Sequence, residues 1–502
     1  MGLAPVVGFA AAALCFLAAA YPLKLYKIRY NPQNRAQRLW LCAAVLLCLV
    51  PVFCIFYSLP HENIVYPFAG LLENQNGYEQ QFDAFLKGQL HLDFAPDARI
   101  LALENPYDPT ARAETGAWYP WDRALFEGKY YSYFGIAPLL TVYFPYYALT
   151  GALPAPQTVC FLLAAVGVLA VALLVLRLVK LFVPECNFCT LVTALFAAEA
   201  GSLIYMVQSS ADMYYIAVQS GSTHLALFLL FAFCAYKQPK TGKSVIFLIF
   251  AALNLVLTVL SRPNLALYAL TVVPIFLCIF FGKESTRTQK YVKLFSFAVP
   301  TLLGAAGVMW YNYARFGSVL EFGATYQLTV CDVSQYSFLA TLFLPALYHC
   351  FFQFPQPKAT FPYIKLTFEV FPHHAAYLYT TRTLGAFSMP SLAGLVLSPA
   401  TYQKKSRVKF FTFILAAVSC FALAFFNTCF AGVCVRYLAD IALVAAVFSG
   451  VILLDLQSLF SKNKAGVQYA VFAVICLLFL LTTAVGVLLI FENERNYIFN
   501  IN

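Results

Sequence analysis

The sequence predicts an all-α integral membrane protein that crosses the bilayer many times. Of its 502 residues, 62% are hydrophobic and only 11% are charged, whereas a soluble domain carries about 25% charged residues. Apolar segments of roughly 18–25 residues recur along the whole chain, and each is long enough to cross a hydrocarbon core of ~30 Å. No soluble domain is left over between them, so we expect one membrane domain over 1–502, located in the cell membrane.

The positive charge of the chain lies in the short gaps between these segments. The formal net charge is +10, and the basic residues cluster at 24–38, 237–243, 283–293 and 404–409. Basic gaps of this kind mark the cytoplasmic loops of a membrane protein, so they indicate orientation rather than a ligand. Because no soluble element carries a basic face with interleaved aromatics, a nucleic-acid partner is excluded.

About twelve membrane helices follow when the basic gaps are placed inside and the N-terminus outside. The stretch 3–21 has neither a preceding positive charge nor a small-residue cleavage site, so we expect a retained helix rather than a signal peptide. Two further apolar stretches, 136–150 and 338–354, are short and contain proline, and we expect them to lie in the outer interface. The predicted helices are 3–21, 39–59, 157–179, 189–208, 212–236, 244–261, 264–282, 292–312, 384–400, 408–426, 433–454 and 467–490.

Two long outer segments result, 60–136 and 313–383, and the first is strongly acidic. It carries 11 of the 22 Asp and Glu residues of the chain, against five basic residues. So much acid in one outer segment of an apolar chain favours a functional site. A merely solvated loop is the alternative.

Two stretches of the first outer segment hold the candidate site. "GYEQQFDAFLKGQLHLD" places Glu79 and Asp83 four residues apart, on one face of a helix, and a carboxylate at the membrane surface is the simplest base for deprotonating an acceptor hydroxyl. "WYPWDRALFEGKYYSYFG" surrounds Asp122 with aromatic side chains. Such aromatics form either an interfacial belt or a stacking surface for sugar rings; the candidates for substrate binding are Trp118, Trp121, Tyr131 and Asp122.

Ionisable groups near the outer ends of predicted helices complete the candidates. Arg262 and Arg382 lie at such ends, and Arg436 and Asp440 are four residues apart on one helical face. Guanidinium groups there suit the phosphate of a lipid-linked substrate; an internal ion pair between Arg436 and Asp440 is the alternative. The sequence has no Gly-rich nucleotide loop, and its single CxxC motif at 186–189 lacks two further zinc ligands. We therefore expect no metal and no cofactor.

Several stretches together resemble the GT-C superfamily of polyprenyl-phosphate-sugar-dependent membrane glycosyltransferases, and more narrowly the dolichyl-phosphate-mannose-protein mannosyltransferase type. They are "FDAFLKGQLHLD", "GKYYSYFGIAPLL", "LSRPN", "YNYARFGSVLEFGATYQLT" and "RYLAD". The resemblance implies a GT-C-like fold, a catalytic carboxylate in the first outer loop and a polyprenyl-phosphate sugar whose phosphate lies near Arg262, Arg382 and Arg436. The sequence departs from the pattern in lacking an adjacent acidic pair and in carrying the extra helix 3–21, and Asp83 is preferred over Glu79 as the base.

The function that we expect is transfer of a sugar from a polyprenyl-phosphate donor to a cell-surface glycan, lipid or protein acceptor. A polytopic transporter is an alternative from another class, but the two halves of the chain show no internal repeat of the kind that transporters often have. A lipid-linked glycan polymerase or ligase is a second alternative. It would place its main charged loop later in the chain, where 313–383 is less acidic than the first outer segment.

Overall fold

The computed structural model shows a bundle of long apolar helices with an extramembrane layer at one end. It describes residues 4–283, 285–335, 338–367, 379–380, 382–403 and 406–492. Within these ranges, ten helical segments are long and apolar enough to cross a membrane. The predicted all-α, polytopic class is therefore confirmed.

The described elements are seventeen α-helices, six short strands and a number of 3₁₀ and π-helical segments. The strands are β1 Ala124–Phe126, β2 Lys129–Tyr131, β3 Gln356–Pro357, β4 Ile364–Lys365, β5 Tyr379–Thr380 and β6 Gly432–Val433; β1–β2 and β3–β4 are antiparallel and β5–β6 is parallel. The helices are α1 Ala4–Ala20, α2 Arg35–Ser58, α3 Gly77–Leu86, α4 Ala98–Leu101, α5 Pro109–Thr115, α6 Phe144–Thr150, α7 Pro156–Phe182, α8 Phe188–Gly201, α9 Ile204–Ser209, α10 Met213–Ala235, α11 Thr241–Val259, α12 Val273–Phe281, α13 Arg287–Phe316, α14 Phe343–Leu347, α15 Arg407–Phe430, α16 Val435–Leu459 and α17 Ala465–Leu488.

Ten of the predicted helices coincide with the ten spans, although the predicted helix 264–282 is a 3₁₀ helix over Pro263–Val272 before it continues as α12. The other two predicted helices differ in form. The predicted helix 3–21 is the 17-residue helix α1, shorter than a full span. The predicted helix 384–400 is a 3₁₀ helix, Pro390–Thr401, preceded by a short 3₁₀ turn. The stretches 136–150 and 338–354 form short helices, as expected.

The centre of the bundle is formed by α16 and α10. In their most apolar stretches 94% and 89% of the residues are buried inside the protein, against 28% for α2 and 11% for α13. Helices that are apolar on all sides yet exposed to solvent in the isolated chain are typical of lipid-facing positions. α2 and α13 thus lie at the periphery of the bundle, and α13 borders the site described below.

The two long outer segments pack into one layer at the end of the bundle that we call the loop end. Arg112 is fully buried and donates hydrogen bonds to the backbone carbonyls of Pro106, in its own segment, and Thr329, in the other. The backbone N–H of Asp122 donates to the Leu328 carbonyl at 3.0 Å, and that of Leu328 donates to the Arg123 carbonyl at 2.9 Å. These bonds fix the backbone around Asp122.

Candidate active site

A cavity of about 580 Å³ lies at the loop end, between the extramembrane layer and the ends of five helices, α10, α11, α13, α15 and α16. Its walls come from chain segments more than 300 residues apart in sequence, from Asp122 to Tyr437. The lining residues are Asp122, Tyr133–Ile136, Tyr214, Ala217, Val259–Asn264, Val308, Tyr311, Asn312, Arg315, Phe322, Ala324, Gln327, Val333, Phe426, Phe430, Ala431, Arg436 and Tyr437.

Asp122 supplies a carboxylate to this cavity. One of its oxygens accepts a hydrogen bond from the Tyr214 hydroxyl. The other, Oδ1, is buried and has no hydrogen-bond partner among the residues that the structure describes. The backbone of Asp122 has φ 54°, a left-handed conformation in which Asp and Asn are favoured over other residues that have a side chain. A buried carboxylate oxygen without a donor can accept a proton or a hydrogen bond from a ligand.

Three arginines line the same cavity. The guanidinium of Arg436 lies 4.4 Å from the centre of the Tyr214 ring, in a cation–π contact. Tyr214 therefore contacts Asp122 through its hydroxyl and Arg436 through its ring. Arg315 lies over the Tyr311 ring at 3.8 Å and donates to the Ser132 carbonyl at 2.8 Å. The third, Arg262, is held by an ion pair. Among the described lining residues, Asp122 is the one carboxylate beside these three arginines. The excess of positive charge favours binding of an anion.

Asp440 holds Arg262 from behind the cavity wall. Its Oδ2 accepts from Arg262 Nη2 at 2.7 Å and from the side-chain amides of Asn264 and Asn427 at 3.1 Å each. The Asp440 side chain is only 1% exposed. A charge in that position needs its partner, so Asp440 fixes Arg262 and does not itself line the cavity.

Gly135 allows the extramembrane layer to reach Arg262. A Cβ atom at this position would lie 2.0 Å from the Leu260 carbonyl oxygen and 2.7 Å from that of Ser261. The neighbouring N–H of Ala137 donates to the Leu260 carbonyl at 3.1 Å. Only glycine permits this approach of two backbones, which brings the wall 133–136 against the turn that carries Arg262.

A second, apolar groove of about 290 Å³ opens from the cavity along α11 and α13. It shares Val259, Val308 and Phe322 with the cavity, so the two spaces adjoin each other. Its other lining residues are Leu255, Val256, Ala266, Ala269, Thr301, Gly304, Ala305, Met309, Val319 and Leu320. Since α13 faces lipid, the groove joins a charged cavity to the hydrocarbon region.

The two carboxylates of α3 that the sequence suggested as bases lie outside the cavity lining. Asp83 accepts from the Tyr66 hydroxyl at 2.9 Å, and its other oxygen lies 2.9 Å from the Lys87 ammonium. Glu79 bonds the backbone N–H and side chain of Asn76, which caps α3. Both carboxylates are thus engaged in holding α3.

Burial gives Glu79 a pH-dependent role in stability. Desolvation raises the pKa of Glu79 from its ordinary value of 4.5 to about 6, against the opposing effects of the Asn76 backbone and Arg123. A raised carboxyl pKa in the folded state favours folding at low pH, and that contribution is lost as the pH rises from 4.5 through 6. We expect the free energy of unfolding to fall by about 2 kcal/mol over this window.

Unfolding in detergent at pH 4.5 and 6.5 measures this change in the parent and in Glu79→Gln, which keeps the capping box. The fall should be absent or strongly reduced in the variant. Equal pH dependence in the two proteins would contradict the assignment to Glu79.

The other predicted site residues take different places. Trp118 and Trp121 are about half exposed, at 48% and 46%, and Trp121 is the chain neighbour of Asp122. Tyr131 is buried against Phe316, with ring centres 5.3 Å apart. Arg382 is half-buried and does not line the cavity. The adjacent histidines His373 and His374, which cannot easily share one metal ion, lie outside the described residues. Among those described, no group of three or more His, Cys, Asp or Glu side chains is placed to hold a metal ion.

The chain is similar in fold to solved membrane proteins at low sequence identity. The match with ArnT from Cupriavidus metallidurans in the apo state covers 91% of this chain and 78% of ArnT, with 13% identity and a TM-score of 0.44. For the same protein bound to undecaprenyl phosphate the shares are 89% and 77%, with 12% identity and a TM-score of 0.42.

A second protein of similar fold is the apo oligosaccharyltransferase of Archaeoglobus fulgidus. The match covers 89% of this chain and 56% of that one, with 14% identity and a TM-score of 0.44. No family model matches the sequence, and no curated protein matches it at a significant level. These similarities concern the fold alone, and we derive the chemistry of the site from its own residues.

Arg315, Asn312 and Tyr214 are site residues that the sequence reasoning did not single out as candidates. Asn312 and Arg315 are three residues apart on α13, on the single face of its last turns that is buried. The three-residue spacing of two polar side chains in the stretch "YNYAR" could have indicated this shared face from the sequence alone. Tyr214 gives no such signal, since its role depends on Asp122, 92 residues away.

Proposed function

We propose that this chain is a glycosyltransferase that moves a sugar from a polyprenyl-phosphate donor to a cell-surface glycan, lipid or protein acceptor. The observation that carries the proposal is that the Arg–Asp122 cavity adjoins an apolar groove on the lipid-facing helix α13. A ligand that fits both spaces has an anionic head and a long hydrocarbon tail. A polyprenyl-phosphate sugar has this chemistry.

The donor binds with its phosphate between the arginines and its tail in the groove. Guanidinium groups form paired, charge-assisted hydrogen bonds with phosphate oxygens. Arg262 is held by Asp440 and Arg436 is supported by the Tyr214 ring, so two of the cations are positioned before the ligand arrives. Preorganised charge of this kind stabilises the additional negative charge that the leaving phosphate gains.

The transfer proceeds with inversion at the anomeric carbon. Oδ1 of Asp122 accepts the proton of the acceptor hydroxyl, and the hydroxyl oxygen forms the new bond to the anomeric carbon as the bond to the phosphate oxygen breaks. The bonding electrons leave with the phosphate, which departs as a polyprenyl phosphate without being protonated, because the arginines neutralise its charge. The Asp122 carboxyl then returns its proton to water.

Asp122 replaces Asp83 as the base in this proposal. Asp83 accepts from Tyr66, is ion-paired with Lys87 and lies outside the cavity lining. Asp122 lines the cavity, and its Oδ1 has neither a hydrogen-bond donor nor a cation paired with it among the described residues. Trp118 and Trp121, half exposed on the same stretch, provide a stacking surface for a sugar acceptor. The loop end then faces the outside of the cell membrane, as the basic gaps of the sequence predict.

Binding of the lipid tail is tested by narrowing the groove. Ala305 lines the groove on α13, so Ala305→Trp fills space that the tail occupies. Loss of contact with about two methylene groups, at ~0.8 kcal/mol each, weakens binding of a long-chain donor by about tenfold. The KM should rise for an undecaprenyl-phosphate sugar and change little for a citronellyl-phosphate sugar, measured by release of radiolabelled sugar.

Ala306→Trp is the matched control, because Ala306 is exposed on the same helix but does not line the groove. It should leave both KM values unchanged. An equal effect of the two variants, or a parent protein that neither binds polyprenyl phosphate nor consumes any polyprenyl-phosphate sugar, would overturn the proposal.

A further inference from the structure

A second polar cavity lies at the end of the bundle opposite the loop end. Its volume is about 320 Å³. It is enclosed by the turn after α1, the loop between α7 and α8, and the loop between α16 and α17. α7 begins near Leu153, which pairs with Ile64 of the first outer segment, and ends near Asn187, which pairs with Arg29. The length of a complete span therefore separates this cavity from the candidate active site.

The cavity offers both cations and hydrogen-bond acceptors. Two cations and one carboxylate line it, namely Lys27, Arg29 and Glu185, and Arg29 is bonded to Glu185 at 3.0 Å. Both side chains of that pair are more than half exposed, at 59% and 77%, so the pair is weak and can open to another anion. Gln457 also lines the cavity and is only 9% exposed. Its Oε1 has no hydrogen-bond partner among the described residues.

An unpartnered acceptor beside cations defines the ligand by its chemistry. A phosphate group satisfies Lys27 and Arg29, and a hydroxyl group satisfies Gln457 Oε1 by donating to it. An ammonium head group would be repelled by the two cations, and a choline head group has no hydrogen to donate. A phosphodiester that carries free hydroxyls has both required features.

The position of the cavity places it at the boundary between membrane and water. It lies where α16 ends and α17 begins, beside a cluster of Tyr21, Tyr26 and Tyr469, whose ring centres are 5.0–6.0 Å apart. Tyrosine clusters of this kind are typical of the membrane interface. α1 lies against α17 through the Tyr469 hydroxyl, which donates to the Leu17 carbonyl at 2.8 Å. The apolar face of α1 is exposed, since 65% of Leu14 is accessible, and this face can lie against acyl chains.

We propose that this cavity binds the head group of an anionic phospholipid of the phosphatidylglycerol class, from the leaflet opposite the candidate active site. The phosphate contacts Lys27 and Arg29, a glycerol hydroxyl donates to Gln457, and the acyl chains lie along α1 and α17. Basic pockets between helix ends bind anionic head groups in this way. The proposal is independent of sugar transfer, because it concerns the other end of the bundle.

Native mass spectrometry of the full chain tests the proposal, with equal amounts of phosphatidylglycerol, phosphatidylethanolamine and phosphatidylcholine added to the detergent. The parent should retain phosphatidylglycerol in preference to the other two. Lys27→Gln should lower its retention by about fivefold, and Gln457→Leu should lower it as well. Lys27 is exposed, so its variant should fold normally, which its melting temperature checks.

Lys243→Gln is the matched control, because Lys243 is an exposed lysine at the same end of the bundle that does not line the cavity. It should retain as much phosphatidylglycerol as the parent. Equal retention in Lys27→Gln and Lys243→Gln, or no preference of the parent among the three lipids, overturns the proposal. Displacement of the lipid by an equal concentration of soluble glycerophosphoglycerol would identify a water-soluble ligand instead and also overturns it.

Discussion

Asp122→Asn is expected to lower the rate of sugar transfer by about 10²–10⁴-fold, the range that a general base contributes. The amide cannot accept the proton of the acceptor, but it has the same shape and can still accept a hydrogen bond from Tyr214. Asparagine also tolerates the left-handed backbone at this position, φ 54°. The variant should therefore fold and bind donor as the parent does, so that the loss appears in kcat and not in the affinity for polyprenyl phosphate.

Glu114→Gln provides the matched control for this prediction. Glu114 is an exposed carboxylate of the same outer segment and does not line the cavity, so its variant should transfer sugar at the parent rate. Asp83→Asn decides between the two candidate bases. A complete loss of turnover in Asp83→Asn together with a normal rate in Asp122→Asn would assign the base to α3 and contradict the mechanism proposed here.

Asp440→Ala is expected to destabilise the protein by about 3–5 kcal/mol, the cost of leaving a buried charge without its partner. Asp440 Oδ2 accepts hydrogen bonds from Arg262, Asn264 and Asn427. All three lose this acceptor, and within the described part of the chain only Asn264 keeps a second one, Asn427 Oδ1. Donor affinity should fall as well, because Arg262 is no longer held at the cavity wall. Denaturant unfolding in detergent and binding of polyprenyl phosphate measure the two effects.

A double variant separates the structural role from the binding role. Arg262→Met combined with Asp440→Leu removes both charges, and such replacements of buried pairs are often neutral for stability. We expect stability to recover and donor affinity to stay low. Recovery of donor affinity in the double variant would show that Arg262 does not bind the phosphate.

The buried pair Lys409–Asp455 is the matched control for Asp440. Its atoms lie 2.8 Å apart, both side chains are 4% exposed, and neither residue lines the cavity. Asp455→Ala should therefore cost a similar amount of stability and leave the affinity of the folded protein for the donor unchanged.

The sequence alone was sufficient for the membrane class and for most of the helices. A span needs about 20 apolar residues because the bilayer core has a fixed thickness, and that requirement is local to each segment. The same requirement could not distinguish an α-helix from the 3₁₀ segment Pro390–Thr401, since both are apolar and of similar length.

The site depended on contacts that are distant in sequence. The spacing of Arg436 and Asp440 predicted a shared helical face, but the partner of Asp440 is Arg262, 178 residues away. Among the acidic residues of 60–136, helical spacing drew attention to Glu79 and Asp83, whose partners Asn76, Tyr66 and Lys87 are all nearby in the chain.

The acidic outer segment and its aromatic stretches were thus evident from composition, which sums over residues without regard to their neighbours. Which carboxylate meets the arginines was decided only by the tertiary structure. Asp122 reaches the cavity because its backbone is bonded to Leu328, its side chain to Tyr214, and Gly135 allows the layer to approach Leu260. Each of these contacts joins residues more than 90 positions apart, and no local pattern encodes such a pairing.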